Sequence, residues 1–194
     1  MKKTTIGFAM TGSFCTFEAV LAQMEELSQR GYEILPVLSF HAGALDTRFI
    51  PSARLRERLK EITGKEPIDT LQGAEPIGPA RMTDLYLIAP ASGNSLAKLA
   101  NGIFDTPALL GAKSHLRNER PLVLAVSTND GLGAAAQNIG RLLGWRNVFF
   151  VPFRQDDPIR KPRSLVADFT QIPKTISAAL CGAQLQPMLA TGLE

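Results

Sequence analysis

The sequence predicts a three-layer α/β fold, in which a doubly wound parallel sheet lies between two layers of helices. Short apolar runs alternate with amphipathic segments over the whole length. The apolar runs show no polar alternation, which is typical of strands buried on both faces. The chain has 194 residues, of which 45% are hydrophobic and 20% charged. We therefore expect one domain over 1–194, with a core at about 4–152 and a C-terminal extension and helix at 153–194.

The first βαβ unit has the clearest pattern. A strand is predicted at 5–10, a helix at 16–30 and a second strand at 34–39. The helix has Thr16 where an N-cap belongs and Gly31 where the C-terminal cap belongs. Pro36 has no N–H to donate, so it favours an edge position for the second strand.

The later elements follow the same alternation. After an irregular connection at 41–49 we expect a helix at 52–62, and after a second irregular connection at 67–81 we expect a strand at 85–89 that Pro90 ends. The remaining elements are predicted as helices at 94–100, 106–116, 134–143 and 169–180, and as strands at 122–126 and 148–151. The strand at 148–151 is predicted to be the last.

Composition excludes several classes of protein. The formal net charge of +3 is too balanced for a dedicated nucleic-acid binder. The two cysteines, Cys15 and Cys181, form neither a disulfide framework nor a metal-binding spacing. The N-terminus does not have the pattern of a signal peptide, and no apolar run is long enough to cross a membrane. These observations favour a cytoplasmic protein without a bound metal.

The residues after the strands predict the functional site. Ligands of doubly wound sheets bind outside the carboxyl ends of the strands. Four predicted loops there, at 11–14, 39–41, 90–95 and 127–131, are rich in hydroxyl, amide and glycine residues. No P-loop or G-x-G-x-x-G motif occurs in the sequence. Neutral donors beside helix starts favour a phosphate with a flat polar group next to it, as in a nucleotide or a flavin.

The segment Pro90–Asp105, PASGNSLAKLANGIFD, resembles the P-A-S-A-N-T…K-x-A-N-G-I-x-D signature of the FMN-binding, homo-oligomeric cysteine-decarboxylase flavoproteins. Shorter matches to that family lie at 11–13, Ser39 and 127–129. The resemblance implies a Rossmann-like, flavodoxin-like fold, a homo-oligomer (a trimer or dodecamer) and FMN as cofactor. The cofactor-binding residues that it implies are Gly12, Ser13, Phe14, Ser39, Ser92, Gly93, Asn94, Ser95, Ser127, Thr128 and Asn129.

Within that family the chain resembles the flavoprotein subunits of two-subunit synthases that make pyridine-2,6-dicarboxylate. The segments that carry this similarity are 6–17, 74–79 and 127–132. The similarity implies oxidation of a dihydro or tetrahydro precursor, a small dicarboxylate, together with a second subunit. It also implies action in the mother cell of a sporulating bacterium.

Two departures from the family pattern bear on catalysis. Pro76 stands where the decarboxylases have a catalytic histidine, and Ser127 stands where the prenyltransferases have a cationic residue. The catalytic residues are therefore unknown, with His41 and Asn129 as candidates. Three alternatives stay open: an FMN-dependent decarboxylase, a flavin prenyltransferase, and a non-catalytic flavin-binding assembly protein.

Overall fold

The computed structural model describes residues 3–190, which are built around a seven-stranded sheet. The strands are β1 Thr5–Met10, β2 Glu33–Leu38, β3 Leu85–Ala91, β4 Leu122–Thr128, β5 Val148–Phe150, β6 Phe153–Arg154 and β7 Leu165–Ala167. They lie in the order β2-β1-β3-β4-β7-β6, and β5 also pairs with β4. All pairs among β1 to β5 are parallel.

The α-helices are α1 Phe17–Gln29, α2 Phe40–Ala44, α3 Ser52–Thr63, α4 Leu71–Ala74, α5 Gly93–Ala100, α6 Pro107–Leu116, α7 Ala136–Leu143 and α8 Ile172–Leu180. Short 3₁₀ turns at Phe14–Thr16 and Phe169–Gln171 precede α1 and α8, and a third at Glu75–Ile77 follows α4. Every residue of β1 and β3 is buried, so helices cover both faces of the sheet centre. Helix α1 packs against α3 and α8, and α4 packs against α6. The prediction of a doubly wound sheet is confirmed.

Two local predictions in the first βαβ unit also hold. Strand β2 lies at the edge of the sheet, as Pro36 predicts. Gly31 has a φ of +88° directly after the end of α1, the left-handed conformation that favours glycine at this position. Thr16 is the residue before α1, but its side chain makes no capping hydrogen bond, because its hydroxyl donates to the carbonyl of Ser13.

The prediction that the strand at 148–151 is the last is wrong. Strands β6 and β7 form an antiparallel hairpin, and β7 pairs antiparallel with Ser127 and Thr128 of β4. Strand β5 pairs with the first half of β4, at Leu122 to Leu124, so β5 and β7 share one edge of this strand. Two- and three-residue strands carry too little pattern to be found in the sequence. Their pairing joins the extension after 152 to the main sheet. Of the range 1–194 predicted as one domain, residues 1–2 and 191–194 lie outside the described residues.

Pro90 does not end the third strand, because β3 continues through it to Ala91. The pairing of β3 with β4 shifts between Ile88 and Ala91. Such an irregularity removes the need for an N–H at the proline.

The end of β4, the two irregular connections and the start of α7 also differ from the prediction. Ser127 and Thr128 belong to β4, where pairing with β7 extends the strand beyond its apolar run. Both predicted irregular connections contain helical turns, α2 and α4, each begun by a hydroxyl side chain that accepts a backbone hydrogen bond. Helix α7 begins at Ala136, after a turn in which the Asp130 carboxylate accepts from the Ala134 N–H.

None of the helices formed by residues 3–190 combines the length and the apolar character needed to cross a membrane.

Candidate functional site

A cleft of about 580 Å³ opens at the carboxyl ends of β1, β2 and β3, and we call it the first cleft. The chain passes from β1 to β2 on one side and then crosses back to β3 on the other side of β1, so the cleft lies at the topological switch point of the sheet. Its volume is in the range of roughly 300–1,000 Å³ typical of small-molecule sites. It is lined by Gly12, Phe14, Ser39, Phe40, His41, Leu45, Ser92, Asn94, Ser95, Lys98, Asp105, Thr106 and Leu109.

Three capped helix starts meet at the first cleft. The hydroxyl of Ser39 caps α2 and accepts from the N–H of Ala42 at 3.3 Å. Ser92 caps α5 in the same way at 3.3 Å, and Thr106 caps α6 at 3.3 Å. Serine and threonine are favoured at such positions because their side-chain oxygen satisfies a free helical N–H. Helix starts carry a partial positive charge, so their convergence favours an anion in this cleft.

The capping hydroxyls retain protons for a ligand. A capping oxygen accepts from the backbone, and the proton of Ser39 has no acceptor among the described residues. The hydroxyls of Ser92 and Ser95 lie 3.0 Å apart, so one donates to the other and one proton of the pair stays available. A phosphate accepts hydrogen bonds only, and it is therefore the kind of group that these donors fit.

Hydroxyls of the first loop hold the strand ends together. Thr11, which is only 1% exposed, donates to the Pro90 carbonyl at 2.7 Å and accepts from the Ser92 N–H at 3.0 Å. Ser13 donates to the Ser127 carbonyl at 2.6 Å. The proton of Ser13 is thus used within the protein, and this side chain does not line the first cleft.

Two charged residues that line the first cleft are not among the binding residues predicted from the sequence. Lys98 donates to both carboxylate oxygens of Asp105 at 2.8 Å, and these two are the charged side chains among the described residues that line the first cleft. Both stand in the long signature segment, which is the signal that could have identified them. Phe14, which is half-buried, and Phe40, which is exposed, add apolar aromatic surface at the rim.

The other residues that the sequence predicts to bind the cofactor do not line the first cleft. A second cleft of about 450 Å³ contains Gly93 and Thr128 and shares Asn94 with the first cleft. Ser127 is buried at the end of β4, where β7 pairs with it. Asn129 is exposed and lines neither cleft. Of the predicted binding residues, the structure brings six together in the first cleft: Gly12, Phe14, Ser39, Ser92, Asn94 and Ser95. The other five do not line it: Ser13, Gly93, Ser127, Thr128 and Asn129.

The two histidines have different environments. His41 is exposed and lines the first cleft, so it lies within reach of a ligand there. His115 is 1% exposed and lies near the amino ends of β3 and β4, between the Thr83 hydroxyl at 2.9 Å and the Pro121 carbonyl at 3.0 Å. Burial lowers the pKa of His115 to about 4. Within residues 3–190, His, Cys, Asp and Glu side chains do not gather in groups of three that could hold a metal ion.

Comparison with known proteins links the chain to flavoproteins. Residues 1–166 match the flavoprotein family. The chain is 48% identical to the B subunit of dipicolinate synthase from Bacillus subtilis over 194 residues, which is 100% of this chain and 97% of that one. The crystal structure of the corresponding dipicolinate synthase protein from Bacillus halodurans is 44% identical and has a TM-score of 0.90, over 98% of this chain and 97% of that one.

A more distant solved structure shares the fold alone. DmrB of Burkholderia xenovorans, in complex with FMN, is 17% identical with a TM-score of 0.70, over 92% of this chain and 96% of that one. The subgroup predicted from the sequence is thus confirmed by the two B subunits, which match over nearly their full lengths. The chain belongs to the flavoprotein family, and within it to the group that contains the B subunits of dipicolinate synthases.

Proposed function

We propose that the chain binds FMN in the first cleft, with the phosphate at the starts of α2 and α5. The observation that carries this proposal is the set of hydroxyl protons left free by the Ser39 cap and by the Ser92–Ser95 pair. The backbone N–H groups of Gly12, Gly93 and Asn94 lie at the same strand and helix ends and would add donors. Thr128 and Asn129, which lie outside the first cleft at the end of β4, would approach only a ligand that extends beyond Asn94, and Ser127 is buried where β7 pairs with it.

We further propose that the chain is the flavoprotein subunit of a dipicolinate synthase, which oxidises a dihydro- or tetrahydrodipicolinate precursor to dipicolinate. The similarity to two such B subunits supports this assignment. Bound FMN would supply an acceptor for the hydride equivalent that leaves the pyridine precursor. The chain itself would orient the two rings against each other, with Phe14 and Phe40 as apolar surface at the cleft rim.

The protein groups that move protons are few. Aromatisation of a dihydropyridine releases a proton besides the hydride, and a base has to accept it. Among the described residues of the first cleft, His41 is the imidazole, while the Asp105 carboxylate is bound to Lys98. We infer that this proton passes to His41 or to a group of the partner protein, because the other candidate, Asn129, lies outside the first cleft.

The proposed partner is the A subunit of dipicolinate synthase. Its existence is inferred because the relative from Bacillus subtilis is by name one subunit of a larger enzyme. We also propose a homo-oligomer, a trimer or dodecamer, and a site of action in the cytoplasm of the mother cell during sporulation.

An absorption spectrum of the purified protein tests the proposal. The protein is measured before and after addition of FMN, with and without the partner protein, and then with a dihydrodipicolinate-type substrate. We expect bands near about 370 and 450 nm that stay with the protein on gel filtration, since oxidised flavin absorbs there. We expect the substrate to bleach these bands efficiently when the partner protein is present.

The outcomes separate the proposal from its alternatives. Absence of protein-bound flavin under every condition contradicts the flavin site. Bound flavin that no substrate bleaches, even with the partner protein, favours a non-catalytic assembly role. Release of carbon dioxide from the substrate would indicate a decarboxylase, and a flavin of increased mass after addition of a prenyl phosphate would indicate a prenyltransferase.

A further inference from the structure

The Thr11 hydroxyl connects two loops that line the first cleft, although Thr11 itself does not line it. Thr11 lies directly after β1 and is 1% exposed. Its hydroxyl donates to the carbonyl of Pro90 at 2.7 Å and accepts from the N–H of Ser92 at 3.0 Å. Both hydrogen bonds join positions about 80 residues apart in sequence, and both hold the turn between β3 and α5.

This one hydroxyl sets the orientation of the α5 start. Ser92 is the N-cap of α5, and its side chain accepts from the Ser95 N–H. The Thr11 bond fixes the backbone N–H of the same residue, so the cap oxygen and the helix axis keep their direction relative to Gly12, the residue after Thr11, which also lines the cleft. Buried backbone groups that lose a hydrogen-bond partner rearrange to find another. Loss of the hydroxyl would therefore rotate the Pro90–Ser92 turn away from its present position.

We propose that Thr11 is a positioning residue for the phosphate end of the cofactor, acting through Ser92 and the α5 start. The inference rests on the proposed binding of FMN in the first cleft. Thr11 does not touch the cofactor in this proposal. Its effect is confined to the end of the cleft where the two loops meet, so it acts on the phosphate more than on the flavin ring.

The test compares FMN with riboflavin, which lacks the phosphate. The variant Thr11→Val keeps the side-chain shape and removes the hydroxyl, while Thr11→Ser keeps the hydroxyl. Dissociation constants for both flavins are measured by fluorescence titration of the full chain. We expect the preference for FMN over riboflavin to fall by about tenfold in Thr11→Val, the change that corresponds to the loss of one hydrogen bond between the displaced α5 start and the phosphate. Thr11→Ser restores the preference.

Thr83→Val is the matched control. Thr83 is also 1% exposed and its hydroxyl also makes a buried hydrogen bond, to His115. It precedes β3 and thus lies at the opposite end of the sheet from the first cleft. We expect this variant to lose stability and to keep the preference for FMN, because a general destabilisation does not select between the two flavins.

Thr11→Cys replaces Thr11→Val if the latter does not fold, because a thiol is a weaker hydrogen-bond donor. An unchanged preference in the folded Thr11 variants, or an equal loss in Thr83→Val, would overturn the inference. A wild-type chain that binds neither flavin would instead overturn the proposed function. A wild-type chain that binds both flavins equally would show that the phosphate is not recognised in this cleft, and it would overturn the inference as well.

Discussion

At the scale of single residues, Tyr86 shows how closely the sheet and its helices approach each other. Its fully buried ring lies against Gly7 of β1, its partner in the strand register, and against Gly111 of α6. Its hydroxyl donates to the Ala108 carbonyl at 3.1 Å, and burial raises its pKa. A Cβ atom at either glycine would overlap the ring. The two glycines therefore leave the space that the Tyr86 side chain occupies.

This packing predicts opposite effects for the same substitution in two helices. Gly111→Ala would press a methyl group into Tyr86, and we expect it to lower the free energy of unfolding by about 1–3 kcal/mol. Gly140→Ala in α7 meets no atom within 4 Å, and we expect it to raise that free energy by up to about 1 kcal/mol, because alanine favours helix more than glycine. Urea unfolding of both variants measures the two effects. Destabilisation by Gly140→Ala would contradict the packing argument.

His115 predicts a pH dependence of stability. The Pro121 carbonyl only accepts, so Nε2 carries the proton and Nδ1 accepts from Thr83. Burial lowers the pKa of His115 to about 4, below the ordinary value of 6.5. Between these values the unfolded chain binds a proton that the folded chain does not, so stability is lost as the pH falls. The loss is roughly 3 kcal/mol at most, at about 1.4 kcal/mol per pH unit.

The measurement compares the wild type with His115→Gln by urea unfolding at several pH values between neutral and mildly acidic. The variant removes the titrating ring but keeps a polar side chain. We expect it to be less stable at neutral pH and to lose less stability on acidification, so the two curves converge. Parallel curves would show that His115 does not titrate as its burial indicates.

At the scale of secondary-structure elements, the same hydroxyls begin helices and face the first cleft. Ser39 and Ser92 each accept a bond from their own helix. The Ser39 proton and one proton of the Ser92–Ser95 pair stay available for a ligand. Thr70 caps α4 in the same manner, with its oxygen 3.1 Å from the Gly73 nitrogen, but it does not line the first cleft. A substitution that keeps the helix cap but alters the group facing the cleft can therefore separate the effect of a capping residue on stability from its effect on ligand binding.

Ser92→Asp makes that separation. Aspartate caps helices about as well as serine, so we expect the thermal stability without cofactor to change little. Its negative charge would repel the phosphate, and we expect the affinity for FMN to fall by more than about tenfold while the affinity for riboflavin falls less. Thr70→Asp is the control and is expected to leave both affinities unchanged. Isothermal titration with both flavins gives the result, and equal losses of affinity for the two would contradict a phosphate at this cap.

The sequence predicts a helix or strand well where the spacing of apolar residues within that element alone identifies it. Helix α1 was predictable because its apolar residues recur at three- and four-residue spacing and are the ones that it buries. Strand β7 was not, because Leu165–Ala167 becomes a strand only by pairing with Ser127 and Thr128, nearly 40 residues earlier. The predicted end of β3 at Pro90 was wrong for the same reason. The irregular pairing of β3 with β4 accommodates the proline, and the sequence of β3 alone does not reveal how the strand pairs.

At the scale of the whole molecule, the strand order determines which loops meet. With β1 between β2 and β3, the loops that carry Gly12, Ser39 and Ser92 open into one cleft. The loop composition made these residues candidates, and the parallel sheet placed them together. The same argument from strand ends predicted Ser127 in the site, but β7 pairs with this residue. The sequence did not reveal β7. Lys98 and Asp105 reach the cleft from α5 and the segment after it, so strand-end reasoning alone does not find them.

Binding at this junction should stabilise the entire domain, because the first cleft joins three strand ends and three helix starts. A ligand that binds only the folded chain raises the free energy of unfolding by about 2.7 kcal/mol at one hundred times its dissociation constant. For a chain of this size, that corresponds to a rise in melting temperature of roughly 5–10 °C. We expect FMN to produce this rise in a thermal melt of the wild type, and riboflavin at the same concentration to produce less. Ser92→Asp should show little response to FMN, whereas an undiminished rise in that variant would place the flavin outside the first cleft.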